Sequence, residues 1–167
     1  QKIDVNFDIF RELPISNVFD NVKYASTVTG IYPNYEDTFL DANKHPNLLN
    51  KIIIQRTFRY RNNFISYEFL NDYKDLYFVG TLDEFKDLQK VVKILEFYDC
   101  KDFLDMASAV KSSKFVLANS SITFPIAEGL NVPRLLESCP NYPAAQPHGK
   151  NAFNFYFQIH FEKLFKY

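Results

Sequence analysis

The sequence predicts an α/β domain in three layers, a mostly parallel sheet with helices on both faces, preceded by a partial N-terminal segment. Three observations predict it. From residue 51 onward, short apolar runs alternate with stretches of helical spacing, and each apolar run ends in polar or turn residues. A length of 167 residues suits one domain with a sizeable core, or one domain plus an appendage, and is too short for two full domains of this kind.

Residues 1 to 50 divide into a strand-like Ile3 to Phe10, a helix-like Asn17 to Thr29 and a Pro- and Asn-rich connector from Tyr32 to Asn50. They are expected to be the trailing part of an N-terminal domain plus its linker, with residues 51 to 167 forming the Rossmann-like domain itself. A start at Gln1 fits a piece of a longer chain. In the second part, Lys51 to Arg56 (KIIIQR) is the expected first strand and Phe64 to Tyr73 a helix over it. Asp75 to Gly80 (DLYFVG) is the second strand. Asp83 to Leu95 then sets Phe85, Leu88, Val91, Val92 and Leu95 at helical spacing, so one face packs on the sheet. Glu96 to Asp99 is a short third strand. Asp102 to Ser112 is a helix with Leu104, Ala107 and Val110 on its buried stripe, flanked by Phe103 and Met106. Lys114 to Asn119 is the fourth strand and Val132 to Glu137 (VPRLLE) the fifth. The aromatic run Phe153 to Phe165 is expected to close the domain as a helix over the sheet.

The stretch from Phe115 to Pro133 (FVLANSSITFPIAEGLNVP) carries the most chemistry. Phe115 to Ala118 is a buried strand, Ser120 or Ser121 an N-cap for a helix from Ile122 to Glu128, and Gly129 the stop. Free N–H groups at such a helix start, with hydroxyls beside them, suit a phosphate. The same two serines also fit a plain helix cap with Ile122, Ile126 and Leu130 packed on the sheet. Right-handed crossovers put all strand C-terminal ends on one edge, where ligands bind in sheets of this type. That rim gathers Gln55, Arg56, Gly80, Thr81, Asp99, Cys100, Asn119, Ser120, Ser121, Glu137 and Ser138. Arg56, Arg59 and Arg61 follow the first strand, and the fixed fork of arginine suits phosphate oxygens. Three arginines within six residues also fit a solvated loop. Glu128 opposes the dipole of its own helix, which a role in accepting ribose hydroxyls explains, as does an exposed pairing with Arg134. His148, in the polar loop QPHGKNAF, is expected near the rim, in contact with a sugar or phosphate or as a solvated turn residue.

With 19 basic and 20 acidic residues and no block of like charge, the chain argues against a nucleic-acid or membrane surface as partner. No apolar run approaches the ~20 residues of a membrane span, and no charged-then-apolar leader opens the sequence. Cys100 and Cys139 lack the spacing of a disulfide framework, so reduced thiols and a cytoplasmic setting are expected. His45, His148 and His160 have no ligand spacing and no Asp-x-Asp pair occurs, so no metal site or cofactor is expected.

The segments IIIQRTFRYRN, YFVGTLDEF, DFLDMASAVKSSKFVLANSSITFPIAEGLNVPRLLE and YPAAQPHGKNAF carry a resemblance over about two thirds of the chain. They are similar to the C-terminal, nucleotide-sugar-binding half of GT-B glycosyltransferases, most of all to the heptosyltransferase-like, family 9-like group. The resemblance implies a nucleotide-diphosphate sugar as donor and a glycan or lipid-linked acceptor of the lipopolysaccharide type. It implies that Asn119, Ser120 and Ser121 lie by the diphosphate, Arg56 and Gln55 by a phosphate or the sugar, Asp99, Cys100 and Phe103 along the base, and Glu128 by the ribose. The pattern departs where Arg56 stands for a Lys and where Phe124 and Pro125 interrupt a Gly-x-x-His segment, which leaves the donor open. No catalytic base can be named in this half. A nucleotide or phospho-sugar binding module without chemistry fits the same rim, whereas a flavodoxin-like or response-regulator-like domain would need an acidic cluster with a lone Lys, or a flavin-stacking aromatic, and neither constellation is evident.

Overall fold

The computed structural model describes residues 19–166; the strand expected at Ile3 to Phe10 and the first residues of the helix expected from Asn17 lie outside them. Six strands form one sheet in the order β3-β2-β1-β4-β5-β6, and every neighbouring pair is parallel. They are β1 (Ile52–Gln55), β2 (Leu76–Phe78), β3 (Glu96–Phe97), β4 (Phe115–Ala118), β5 (Arg134–Glu137) and β6 (Ala152–Phe155). The helices are α1 (Asn21–Thr29), α2 (Leu82–Gln89), α3 (Phe103–Ser112), α4 (Thr123–Gly129) and α5 (Gln158–Phe165). This is a Rossmann-like α/β fold, as the alternating sequence pattern predicts.

The side-chain period of two divides β1 between two cores. Ile52 and Ile54 join Leu117, Leu135, Phe155, Phe161 and Phe165 on one face; Ile53 joins Val116, Leu136, Met106, Val110, Phe124 and Ala127 on the other. Burial on both faces is why these strands read as unbroken apolar runs. Each fully buried Ile or Leu contributes roughly 1.5–3 kcal/mol.

Several elements differ from expectation. Phe64 to Tyr73 holds only a 3-10 turn, Glu68–Asp72, because Arg56 and Glu137 take up the backbone groups of Asn62 and Ile65 before it. Helix α2 ends at Gln89, and Val92 and Leu95 reach the core from the turn that follows. In α3 the buried residues are Met106, Ala109, Val110 and Ser112, while Phe103 and Leu104 are exposed. The aromatic run is not one helix: Ala152–Phe155 extends the sheet as a sixth strand and α5 begins only at Gln158. The spacing of Phe153, Phe155 and Phe157 carries that strand signal, and Phe155 is the member of the three that is fully buried.

The α4 junction is built differently too. Neither serine caps the helix: the Ser121 hydroxyl donates to Asn119 O, and the Gln55 side-chain oxygen accepts from Thr123 N at 3.0 Å and Thr123 Oγ1 at 2.5 Å. Gly129 is the last helical residue and not the left-handed stop, which falls at Asn131 with φ 48°. Gly129 instead admits the connector: Phe39 N and Leu40 N donate to its carbonyl, and a Cβ there would meet Leu40 at 2.6 Å.

Candidate functional site

The two halves of the sheet run outward from β1 and β4, so the carboxyl edge between these strands is the switch point where ligands enter such sheets. Here the structure brings together Gln55, Arg56, Asn119, Ser120 and Ser121, with Gly80 beside them, and it uses most of their polar groups internally. The Asn119 side chain is fully buried, accepting from Thr57 N at 3.1 Å and donating to Thr57 O at 2.9 Å, which clamps the loop after β1. Arg56 is turned inward: its Nε and Nη2 meet the fully buried Glu137 carboxylate at 2.7 and 3.1 Å, and its guanidinium lies over the Tyr67 ring at 4.4 Å. Arg61 pairs with Asp87 at 2.5 Å. Arg59 is exposed, lies over the Tyr60 ring and makes no ion pair among the described residues. The loop arginines expected at a phosphate are thus divided between structure and solvent.

Gly80 has φ 136°, and a Cβ on it would sit 3.1 Å from Gln55 Nε2 and 3.3 Å from Glu84 Oε2. A Gly80→Ala change is therefore expected to cost about 1–3 kcal/mol from backbone strain alone, read as a lower denaturation midpoint; an unchanged midpoint would refute the strained conformation of the backbone at Gly80.

Asp99, Cys100 and Phe103 lie beyond β3, two strands away from β1. Asp99 and Phe103 are exposed, and Phe103 does not take part in the core. Burial and the carboxylates of Asp105, Asp99 and Asp102 push the Cys100 thiol up to about 12, so it is not a ready nucleophile. Beside it Tyr98 OH donates to Asp105 and lies 3.0 Å from His45 Nε2, fastening the connector to β3. Burial and Asp105 push the Tyr98 phenol up to about 12.

Because α4 returns antiparallel to the strands, Glu128 in its last turn lies toward the amino edge, and His148, just before β6, lies there as well. Neither stands at the rim where the sequence pattern placed it. Arg134 is buried and donates through Nε to Glu128, through Nη1 to Val132 O and through Nη2 to His148 O. His148 Nε2 is 3.0 Å from Asp20 Oδ2, and its ring stacks on Tyr35 at 4.5 Å. Burial pushes the Glu128 carboxyl up, but His148 and Arg134 outweigh it and hold the group below its ordinary value.

These residues form one wall system. A groove of ≈ 470 Å³ runs along α4 from Ser120 and Ser121, past Phe124 and Pro125, to Glu128. Ala144 to Gln146 and His148 form its floor, and Asp20 to Val22 with Pro33 to Tyr35, Asp37 and Phe39 form the facing wall. The volume is that of a small-molecule site, and aromatic rings with a few polar groups line it. Thr123 and Glu128, five helical residues apart, are separated by about 8 Å along the helix axis. The contribution of the connector escaped the sequence reading, since its contacts with α4 and with the 144–148 loop are made across about a hundred residues of chain. A second cavity, ≈ 630 Å³, opens at the amino edge beneath α5 and is lined by none of the residues expected at the site. Among the described residues no group of three or more His, Cys, Asp or Glu is placed to hold a metal ion, and no helix is long and apolar enough to cross a membrane.

No protein-family model matches the sequence, and no curated protein does. Among solved structures the chain is similar to E. coli heptosyltransferase WaaC with ADP-2-deoxy-2-fluoro heptose, at 15% identity and a TM-score of 0.54. The match covers 78% of this chain and 46% of that one, so the chain spans less than half of the heptosyltransferase. A likeness at this identity establishes the fold: an all-parallel, Rossmann-like α/β domain of the kind that makes one half of a GT-B glycosyltransferase.

Proposed function

We propose that the chain is the donor-binding half of a glycosyltransferase, holding a nucleotide-diphosphate sugar whose glycosyl group passes to a glycan or lipid-linked acceptor. The observation that carries this reading is the groove along α4 in a GT-B-like half, with hydroxyls at one end and a carboxylate at the other. In this reading the diphosphate lies by Ser120 and Ser121, where the Ser120 hydroxyl supplies a donor and the Ser121 hydroxyl must leave Asn119 O to supply a second. The ribose hydroxyls lie toward Glu128, whose Oε2 has only the 3.7 Å contact to His148. Phe39 and Phe124 give the nucleoside an apolar wall. The chain's part in transfer is to orient the donor and to stabilise the charge that develops on the departing diphosphate. The acceptor and the group that takes its proton belong to the other half of such an enzyme.

The test is a thermal-shift and calorimetric screen against ADP, GDP, UDP, CDP and their sugar conjugates. At a hundredfold excess over Kd, one of these raises the midpoint by roughly 5–10 °C for a chain of this size. Ser121→Ala is expected to weaken that shift. Stabilisation by none of the nucleotides removes the donor-site reading.

A further inference from the structure

The cavity of ≈ 630 Å³ beneath α5 lies on the other face of the sheet from the groove along α4. Its buried walls, Ile52, Leu135 and Phe165, belong to one core, whereas Phe124 and Ala127 beside the groove belong to the other. The cavity is open because α5 is short. Its eight residues span about 12 Å, Phe161 stacks on Phe155 at 4.1 Å, and the helix ends at Phe165. Phe165 meets Phe115 and Tyr73 edge to face at 5.1 and 4.7 Å, and the strand starts beyond it keep an apolar face. Ile52, Phe115, Leu135 and Phe153 carry that face across β1, β4, β5 and β6, four neighbouring strands and so about 14 Å. A strip of that length suits an extended chain better than a compact ring.

The charges at the cavity are of one sign. Lys114, Arg134 and Lys166 line it, and no Asp or Glu does. Arg134 commits its guanidinium to Glu128 and to two carbonyls. Lys114 and Lys166 are exposed, and among the described residues neither ammonium has an ion pair or a hydrogen bond. An ammonium only donates, so these two suit an acceptor that carries negative charge. The carboxyl end of α5 adds roughly half a negative charge beside Lys166, less than the two lysines supply.

We propose that this cavity binds a single-chain lipid anion, its acyl chain along the apolar strip and its acid head at Lys114 and Lys166. A free amphiphile fits better than a lipid held in a bilayer, because a net charge of -1 with no basic block gives no attraction to an anionic membrane.

Titration calorimetry of the full chain with decanoate, kept below its micelle-forming concentration, tests the site, with uncharged decanol as the comparison. The wild type takes up one decanoate, saturably, and binds decanol about tenfold more weakly. Lys114→Gln with Lys166→Gln brings decanoate down to the level of decanol and leaves decanol unchanged. Phe153→Ser weakens both ligands several-fold, since it removes the outer wall of the strip. All three side chains are exposed, so the variants melt close to the wild type. Heat that does not saturate, several decanoates per chain, equal affinity for decanol, or decanoate affinity unchanged in the lysine double variant overturns the proposal. Binding to anionic vesicles in place of free decanoate overturns it too, in favour of a membrane surface. No nucleotide enters the measurement, so its failure is separable from failure of the donor-site reading.

Discussion

Glu137→Ala is expected to destabilise the domain by about 3–5 kcal/mol, the range for removing one partner of a buried ion pair. The carboxylate is fully buried and accepts from Arg56 Nε and Nη2, from Asn62 N at 2.5 Å and from Tyr67 OH at 2.6 Å. Its loss leaves a guanidinium with little access to water, a buried phenol and a backbone N–H without their acceptor. For a domain of this size the midpoint falls by roughly 10 °C. The double variant Arg56→Met with Glu137→Leu recovers much of the loss, since an apolar pair needs no acceptor. A Glu137→Ala midpoint close to that of the wild type would show that water reaches this network and that Arg56 is free to serve a ligand. The network has a spectroscopic signature as well. Burial, followed by the Glu137 charge, holds the Tyr67 phenol well above its ordinary value, so its ionisation is expected to coincide with alkaline unfolding.

Arg134→Met is expected to cost about 2–4 kcal/mol, less than the first case because Glu128 keeps its contact with His148. The substitution leaves the Val132 and His148 carbonyls without their donor. It also changes the response to acid. A carboxylate held below its ordinary value contributes stability that is present above that value and lost as pH falls through the folded one. Without Arg134 less opposes burial at Glu128, so acid unfolding begins at a higher pH than in the wild type. Glu128→Gln in the same background removes this added acid sensitivity. Acid-unfolding curves of the three proteins decide the matter, and coincident curves for Arg134→Met and wild type would refute the coupling.

The strands were legible because their signal is local. IIIQ, LYF, FVLA and RLLE are apolar runs of strand length, and burial on both faces leaves no polar alternation to confuse them. The sixth strand hid in an aromatic run that satisfies a helical and an extended spacing together, and pairing with β5 settles it. Of the residues that the sequence pattern singles out, Ser120, Ser121, Glu128 and His148 line one groove, whereas the polar groups of Gln55, Arg56 and Asn119 hold the fold together. A residue type announces what it can bond, and an arginine that fits a phosphate fits a buried glutamate equally well.

By itself the sequence determined the layer architecture, the parallel sheet and the edge at which polar residues collect, because hydrophobic period and run length depend on near neighbours. Only the tertiary structure decided that Gln55 caps a helix 68 positions away, that Arg56 is spent on Glu137 81 positions away, and that Asp20 meets His148 across 128. Those partners are set by strand order and by the path of the connector over α4. Each choice is between a buried polar group left unpaired, at a cost of a few kcal/mol, and one satisfied by whatever the fold brings within 3 Å.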